Sequence, residues 1–277
     1  MNAQIYLEEF AEPPGYLDFA RVGPLSRAVA SRLASVAAMR VDGMPLDRLA
    51  GYADAARDSA ALLLGAAAHE VSFVSSTSHG LFAAAAAVRG DGVVLVPRGE
   101  FPANVYPWLR FQGRGGPRVR FVDAPRLTPE VLAVHLDPSV RALTVSAVDA
   151  LTGYRAPLGA LKEVLGPGRV LVVDAIQGLG AVPLEVEAAD VLACGGQKWL
   201  RAGWGTALLL IRDRVAHLLE PGLGGWSGIK DPDLGGWSGQ KDAEERLPRT
   251  EPLPGAVAHT VTNPDYAAVA ALGTALD

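Results

Sequence analysis

Cysteine is almost absent: the 277 residues contain one, Cys194. No internal disulfide can form, and a lone thiol fits a reducing compartment. Long apolar runs are missing too, and the alanine block at 83–87 is far too short to span a membrane. Residues 1–14 are acidic and lack a basic stretch followed by an apolar core, so they do not read as a secretory signal. A cytoplasmic location is expected. Positive charge is also short. The net charge is −5, lysine is scarce against arginine, and no basic cluster offers a nucleic-acid footprint. No Gly-x-Gly-x-x-Gly follows the first strand-like run and no Walker lysine motif occurs, which disfavours a nucleotide-binding domain. Ser78 and His79 are neighbours, but no Gly-x-Ser-x-Gly elbow surrounds them, and this argues against serine hydrolase chemistry.

What the chain does have is apolar residues, 49% of the total, enough for a sizeable core in one large domain or one and a half. Short apolar runs at 71–74, 118–122, 141–145, 170–173 and 191–194 read as strands, with a turn and strand over 90–96 and a returning strand at 206–211. Helical patterns fall at 26–40, 45–64, 81–88, 128–136 and 158–165. Another is expected at 214–219 behind a capping Asp213, and a last one starts at 267. This alternation implies a mainly parallel sheet covered by helices.

The stretch 170–212 organises the rest. Its first strand ends on Asp174 and its second runs into Gly195-Gly196-Gln197-Lys198. Ligands of open α/β sheets bind beyond the carboxyl ends of the strands, so Asp174 and Lys198 can face one crevice. A lysine there is either an ordinary solvated amine or one that forms a Schiff base with a carbonyl compound. An aldehyde cofactor such as pyridoxal phosphate also needs a carboxylate on its pyridine nitrogen, and Asp174 is a candidate for that place.

The residues Val-Asp-Ala-x-Gln-x-x-Gly from Val173, then Lys198-Trp199-Leu200 and Gly203-x-Gly205, resemble the class V aminotransferase family. That family includes cysteine desulfurases, kynureninases and isopenicillin-N-epimerase-like enzymes. The resemblance implies pyridoxal 5′-phosphate as cofactor and the fold type I large domain, a three-layer α/β/α unit with a mainly parallel seven-stranded sheet. It implies that Lys198 is the Schiff-base lysine, that Asp174 is the pyridine partner and that Gln177 contacts the ring hydroxyl. Gln197 stands where a histidine is common, and its amide can still donate to phosphate. No metal is implied.

The run Ser75-Ser76-Thr77-Ser78-His79-Gly80 follows the first strand and opens a helix. Free amides and the helix dipole there can cradle a phosphate, although helix capping explains the same residues. Its position is similar to the family's phosphate turn, and Thr77 and Ser78 align best. Phe101 is the ring-stacking candidate, at a place held by histidine in desulfurases and by phenylalanine in kynureninases and epimerase-like relatives. Tyr106 and Trp108 read as core aromatics. Ala147 and Ala150 depart from the His and the Asn or Ser of many relatives, which leaves the reaction open.

Residues 221–255 are rich in glycine and tryptophan and repeat Gly-Gly-Trp-Ser-Gly at 224–228 and 235–239. Either Trp226 or Trp237 lines a substrate pocket, or the loop is mobile without ligand. Thr262 and Asn263 resemble the turn that meets the other subunit's cofactor phosphate, which implies a homodimer. The expected organisation is an N-terminal segment over 1–40, a cofactor-binding large domain over 41–255, and at 256–277 the start of a connection to a small C-terminal domain largely absent from this chain. The expected activity is that of a pyridoxal-phosphate enzyme acting on an amino acid or other primary amine, by transamination, epimerisation or lyase chemistry. A cysteine-desulfurase-like or selenocysteine-lyase-like enzyme is one alternative, although this sequence has no late-loop cysteine. A non-catalytic dimeric scaffold is the other.

Overall fold

The computed structural model describes residues 3–43, 46–230 and 251–277. Pro45, Trp237 and the second Gly-Gly-Trp-Ser-Gly repeat lie outside the described residues. Seven strands form one sheet: β1 (Val71–Val74), β2 (Val93–Pro97), β3 (Arg118–Val122), β4 (Val140–Ser146), β5 (Val170–Asp174), β6 (Val191–Gly195) and β7 (Ala207–Ile211). Their spatial order is β1-β7-β6-β5-β4-β2-β3. Only β7 runs against its neighbours, pairing antiparallel with both β1 and β6. The returning strand read at 206–211 is this one.

The sheet is buried on both faces, which is why its inner strands are continuous apolar runs instead of alternating ones. Leu143, Val145, Leu171, Val173, Leu192, Leu208 and Leu210 point into one core layer with α3 (Leu46–Leu64), α7 (Leu158–Leu165) and α8 (Tyr266–Leu276). Ala142, Val170, Val172, Val191, Ala193 and Leu209 point into the other, against α4 (Thr77–Ala87) and α5 (Tyr106–Phe111). The arginine-bearing edge strand β3 is the one left partly exposed, as solubility demands of an edge. Ahead of the sheet lie α1 (Ala3–Glu9) and α2 (Arg27–Val41), the latter capped by Ser26, whose Oγ accepts from Val29 N at 3.0 Å. Helix α8 returns to the chain's beginning and packs on α2 and α3, where Arg32 Nε donates to Thr274 Oγ1 at 3.1 Å.

Four local readings change. α4 starts at Thr77 with Ser76 as its cap, four residues before the expected start. The run after Phe101 is helical, because Pro107 sits in the first turn of α5, where its missing N–H costs nothing. The acidic start contains a short helix, α1. The helix expected at 214–219 is instead a 3-10 segment, Asp213–Leu218, and Asp213 does not cap it. The Asp213 carboxylate is taken by His69 Nε2 at 2.7 Å. Helix α6 (Pro129–His135) falls where expected, with Thr128 as its cap.

Candidate active site

Asp174 is the last residue of β5 and is 3% exposed. One of its oxygens accepts from Ile176 N at 3.0 Å, a turn that aims the carboxyl group beyond the strand end. Lys198 sits in the loop after β6. Its Nζ lies 5.8 Å from the centre of the Phe101 ring and has no hydrogen-bond or ion-pair partner among the described residues. Burial pushes the Asp174 carboxyl up to about 7, and the charge of Glu100 pushes the same way while Lys198 opposes. Burial also lowers the proton affinity of Lys198, against the pull of Asp174. Each group feels the other's charge, and both lie at or just beyond the carboxyl ends of the neighbouring strands β5 and β6.

The loop that carries the lysine is stitched in place on two sides. On one, Gly195 N donates to Thr77 Oγ1 at 2.8 Å, tying β6 to the start of α4. A Cβ at Gly195 would meet Gln197 Oε1 at 2.3 Å and Thr77 Oγ1 at 3.0 Å, so the flexible Gln197 amide would have to swing aside. On the other side lies the segment before α2. Gly23 N donates to Gln197 O at 2.8 Å, and a Cβ at Gly23 would sit 2.0 Å from the Lys198 carbonyl oxygen. Phe19 stacks on Trp199 at 5.5 Å. Arg201 fastens this segment: it donates to Pro24 O and to Glu12, both at 2.6 Å, and its guanidinium covers the Phe10 ring at 3.4 Å. Its φ of 56° is the one positive value outside glycine among the described residues. Such a conformation costs roughly 1 kcal/mol or more and persists only when neighbours fix it. Arg201→Ala is expected to free the segment, seen as new protease cleavage between residues 10 and 24 that the parent resists.

The remaining candidates are placed as follows. At the start of α4 the Thr77 and Ser78 amides have no partner among the described residues, and Ser78 is exposed. Ser76 Oγ is used as the cap, accepting from His79 N at 3.1 Å. His79 bonds Ser75 Oγ at 3.1 Å, and burial lowers its proton affinity. Gln177 is engaged at both ends of its amide: Nε2 donates to Ala20 O and Oε1 accepts from Trp199 Nε1, both at 2.9 Å. One N–H of that amide stays free. Thr262 and Asn263 line a cavity of about 140 Å3 with Phe73, Ser75 and His79, at the β1 edge. Cys194 is buried, and burial pushes its thiol far up, so it is no nucleophile. Two residues that the sequence reading passed over, Glu100 and Asn104, join the turn carrying Phe101 to β4. Their signal was in the Glu-Phe-Pro-Ala-Asn run itself, which had been read only for its aromatic.

A model of the family described as aminotransferase class-V matches residues 43–262. The chain belongs to the class V aminotransferase family. Within it, a kynureninase of Deinococcus radiodurans is 31% identical, the match covering 95% of this chain and 64% of the relative. A probable cysteine desulfurase of Xylella fastidiosa is 30% identical over 64% of this chain and 45% of its own length. Among solved structures, a C-DES mutant with glycine covalently linked to the PLP cofactor matches with a TM-score of 0.80 at 19% identity, covering 93% of this chain and 69% of that one. The cysteine desulfurase CsdA of Escherichia coli matches at 0.79 and 21% identity, covering 99% and 70%. These two likenesses speak for the fold. The chain spans less than two thirds of the length of the curated relatives named here.

The cofactor of this class V aminotransferase chain is pyridoxal 5′-phosphate, and the residues present fit it. An unpaired amine stands beside an aromatic ring, a buried carboxyl group that feels its charge ends the neighbouring strand, and at the start of α4, which is tied to β6, the Thr77 and Ser78 amides have no partner among the described residues. Among the described residues no helix is long and apolar enough to cross a membrane.

Proposed function

We propose that the chain carries the cofactor-binding part of an enzyme that acts on an amino acid or other primary amine through Lys198. The observation behind this reading is the Lys198 Nζ, without a hydrogen-bond or ion-pair partner among the described residues, 5.8 Å from the centre of the Phe101 ring and within reach of the Asp174 charge. When bound, pyridoxal phosphate supplies an electron-accepting ring that stabilises negative charge beside the amine carbon. Asp174 keeps positive charge on the ring nitrogen, Phe101 covers one ring face, and the Thr77 and Ser78 amides with Gln197 hold the phosphate. Gln177 offers its free N–H to the ring hydroxyl. Lys198, with its proton affinity lowered by burial, moves the proton at the substrate's amine-bearing carbon.

In the same reading residues 41–255 are the large domain and 256–277 begin the connection onward. The protein is a cytoplasmic homodimer in which Thr262, Asn263 and the loop of Trp226 complete the other subunit's site. Support for the pairing comes from position: the cavity of Thr262 and Asn263 lies beside the phosphate turn. A desulfurase-like lyase remains the second reading, since probable cysteine desulfurases stand among the relatives. Any such reaction would draw its nucleophile from elsewhere than the buried Cys194.

Protein purified with added cofactor should show a visible-region absorbance band that borohydride bleaches, with the cofactor then retained on Lys198 by mass spectrometry. Lys198→Ala should abolish the retained mass and lower turnover of any accepted amine by roughly 1,000-fold or more. Parent protein that stays colourless in excess cofactor would leave the non-catalytic scaffold as the better account.

A further inference from the structure

Glu100 has no part in the chemistry above, yet its carboxylate accepts three hydrogen bonds. It lies in the turn after β2, and one oxygen accepts from Ser146 N at 2.7 Å. The other accepts from Ser146 Oγ at 2.5 Å and from Asn104 Nδ2 at 3.0 Å. Asn104, wholly buried, accepts in turn from Thr144 Oγ1 at 2.5 Å. Thr144 and Ser146 both belong to β4, and Ser146 stands in register with Asp174 of β5. The next residue after Glu100 is Phe101, whose ring faces Lys198 Nζ. One carboxylate therefore pins the Phe101 turn to β4 and lies one strand away from Asp174.

Resting on the assignment of Lys198, Asp174 and Phe101 to the cofactor, we infer that Glu100 is a positioning residue for the site. It fixes Phe101 over the lysine and sets a second negative group behind Asp174. A turn held by hydrogen bonds alone would place the ring equally well with a neutral side chain. A carboxylate does more, because its charge opposes the ionisation of Asp174 and so raises that group's proton affinity beyond what burial alone does. Other charged groups face this pair. Burial raises the Glu100 carboxyl against the pull of its hydrogen bonds from Ser146 and Asn104, and Asp149, from the turn after β4, adds a smaller push the same way. Lys198 acts on Asp174 in the opposite direction.

The test uses the cofactor-free protein, so it does not depend on Lys198 chemistry. In carboxylate-labelled protein followed by carbon NMR against pH, Glu100→Gln should lower the Asp174 titration midpoint by about half a unit to one unit, a three- to tenfold loss of proton affinity. Glu100→Asp keeps the charge but draws it back from β4, and should shift the midpoint the same way by less. In protein loaded with pyridoxal phosphate, both variants should release cofactor faster, by roughly tenfold for Glu100→Gln. A midpoint that stays put in both folded variants would reduce Glu100 to a turn anchor and overturn the inference. If Glu100→Gln fails to fold, Glu100→Asp carries the same decision. Failure of any protein to bind the cofactor would count against the proposed function and leave the Asp174 titration readable.

Discussion

Asp174→Asn should give a folded protein that withstands alkaline pH better than the parent and turns over its substrate roughly 100- to 1,000-fold more slowly. Both halves come from one buried carboxyl group. Burial raises its proton affinity from the usual aspartate range to about 7. The folded state therefore holds that proton more tightly than the unfolded chain, and its contribution to stability is complete below about pH 4. That contribution is lost as pH rises through 7. At pH 8.5 the parent carries an ionised, poorly solvated carboxylate at a cost of about 2 to 4 kcal/mol. Asparagine does not ionise. Urea unfolding of the cofactor-free proteins at pH 5 and pH 8.5 should show a stability loss in the parent that is much smaller in the variant. His79 and His259, both lowered by burial, change stability with the opposite sign as pH rises, but they do so in parent and variant alike. The difference between the two proteins thus reads position 174 together with its effect on the Lys198 amine. The loss of turnover follows because a neutral amide cannot keep charge on a ring nitrogen, and removal of a comparable preorganised electrostatic group typically costs that much. Equal pH slopes in parent and variant would mean that Asp174 ionises as an ordinary aspartate.

The sheet and the places of Asp174 and Lys198 at its strand ends were readable because their signals are local. A buried parallel strand needs only four or five adjacent apolar residues, and the run at 170–173 states that without help from the rest of the chain. The lysine and the aspartate stand at strand ends, so their meeting follows once the strands are neighbours, as β5 and β6 are. What escaped depends on partners far away in sequence. Gln177 sits where its motif placed it, but its amide is aimed by Ala20, 157 positions earlier. Glu100 is defined by Ser146, 46 positions later. Arg201 looks like one more surface arginine until Glu12, Phe10 and Pro24 surround it, and nothing in Leu-Arg-Ala-Gly announces a left-handed backbone.

Asp190→Ala should lower stability by about 3 to 5 kcal/mol without changing the spectrum of bound cofactor or the affinity for it. Asp190 is wholly buried at the end of the sheet opposite Asp174, just before β6. One oxygen accepts from Lys162 Nζ at 2.6 Å and from Leu171 N at 2.8 Å, and the other accepts from Arg214 Nε at 2.8 Å. It thereby joins α7, the start of β5 and the segment after β7. Alanine strands a largely buried ammonium, a half-exposed guanidinium and a strand N–H with no acceptor, and each must find water or move. Against a net stability of roughly 5 to 15 kcal/mol, a loss of that size should bring the urea midpoint well down. Asp190→Ala combined with Lys162→Met should cost less than the single change, because the second substitution removes the stranded ammonium. A double variant no more stable than Asp190→Ala would place the cost in Arg214 and Leu171 instead. A cofactor spectrum altered by Asp190→Ala would mean that strain travels the length of β5 to Asp174. An unaltered spectrum would show that the sheet keeps the ion pairs holding it together at one end and the groups facing the cofactor at the other.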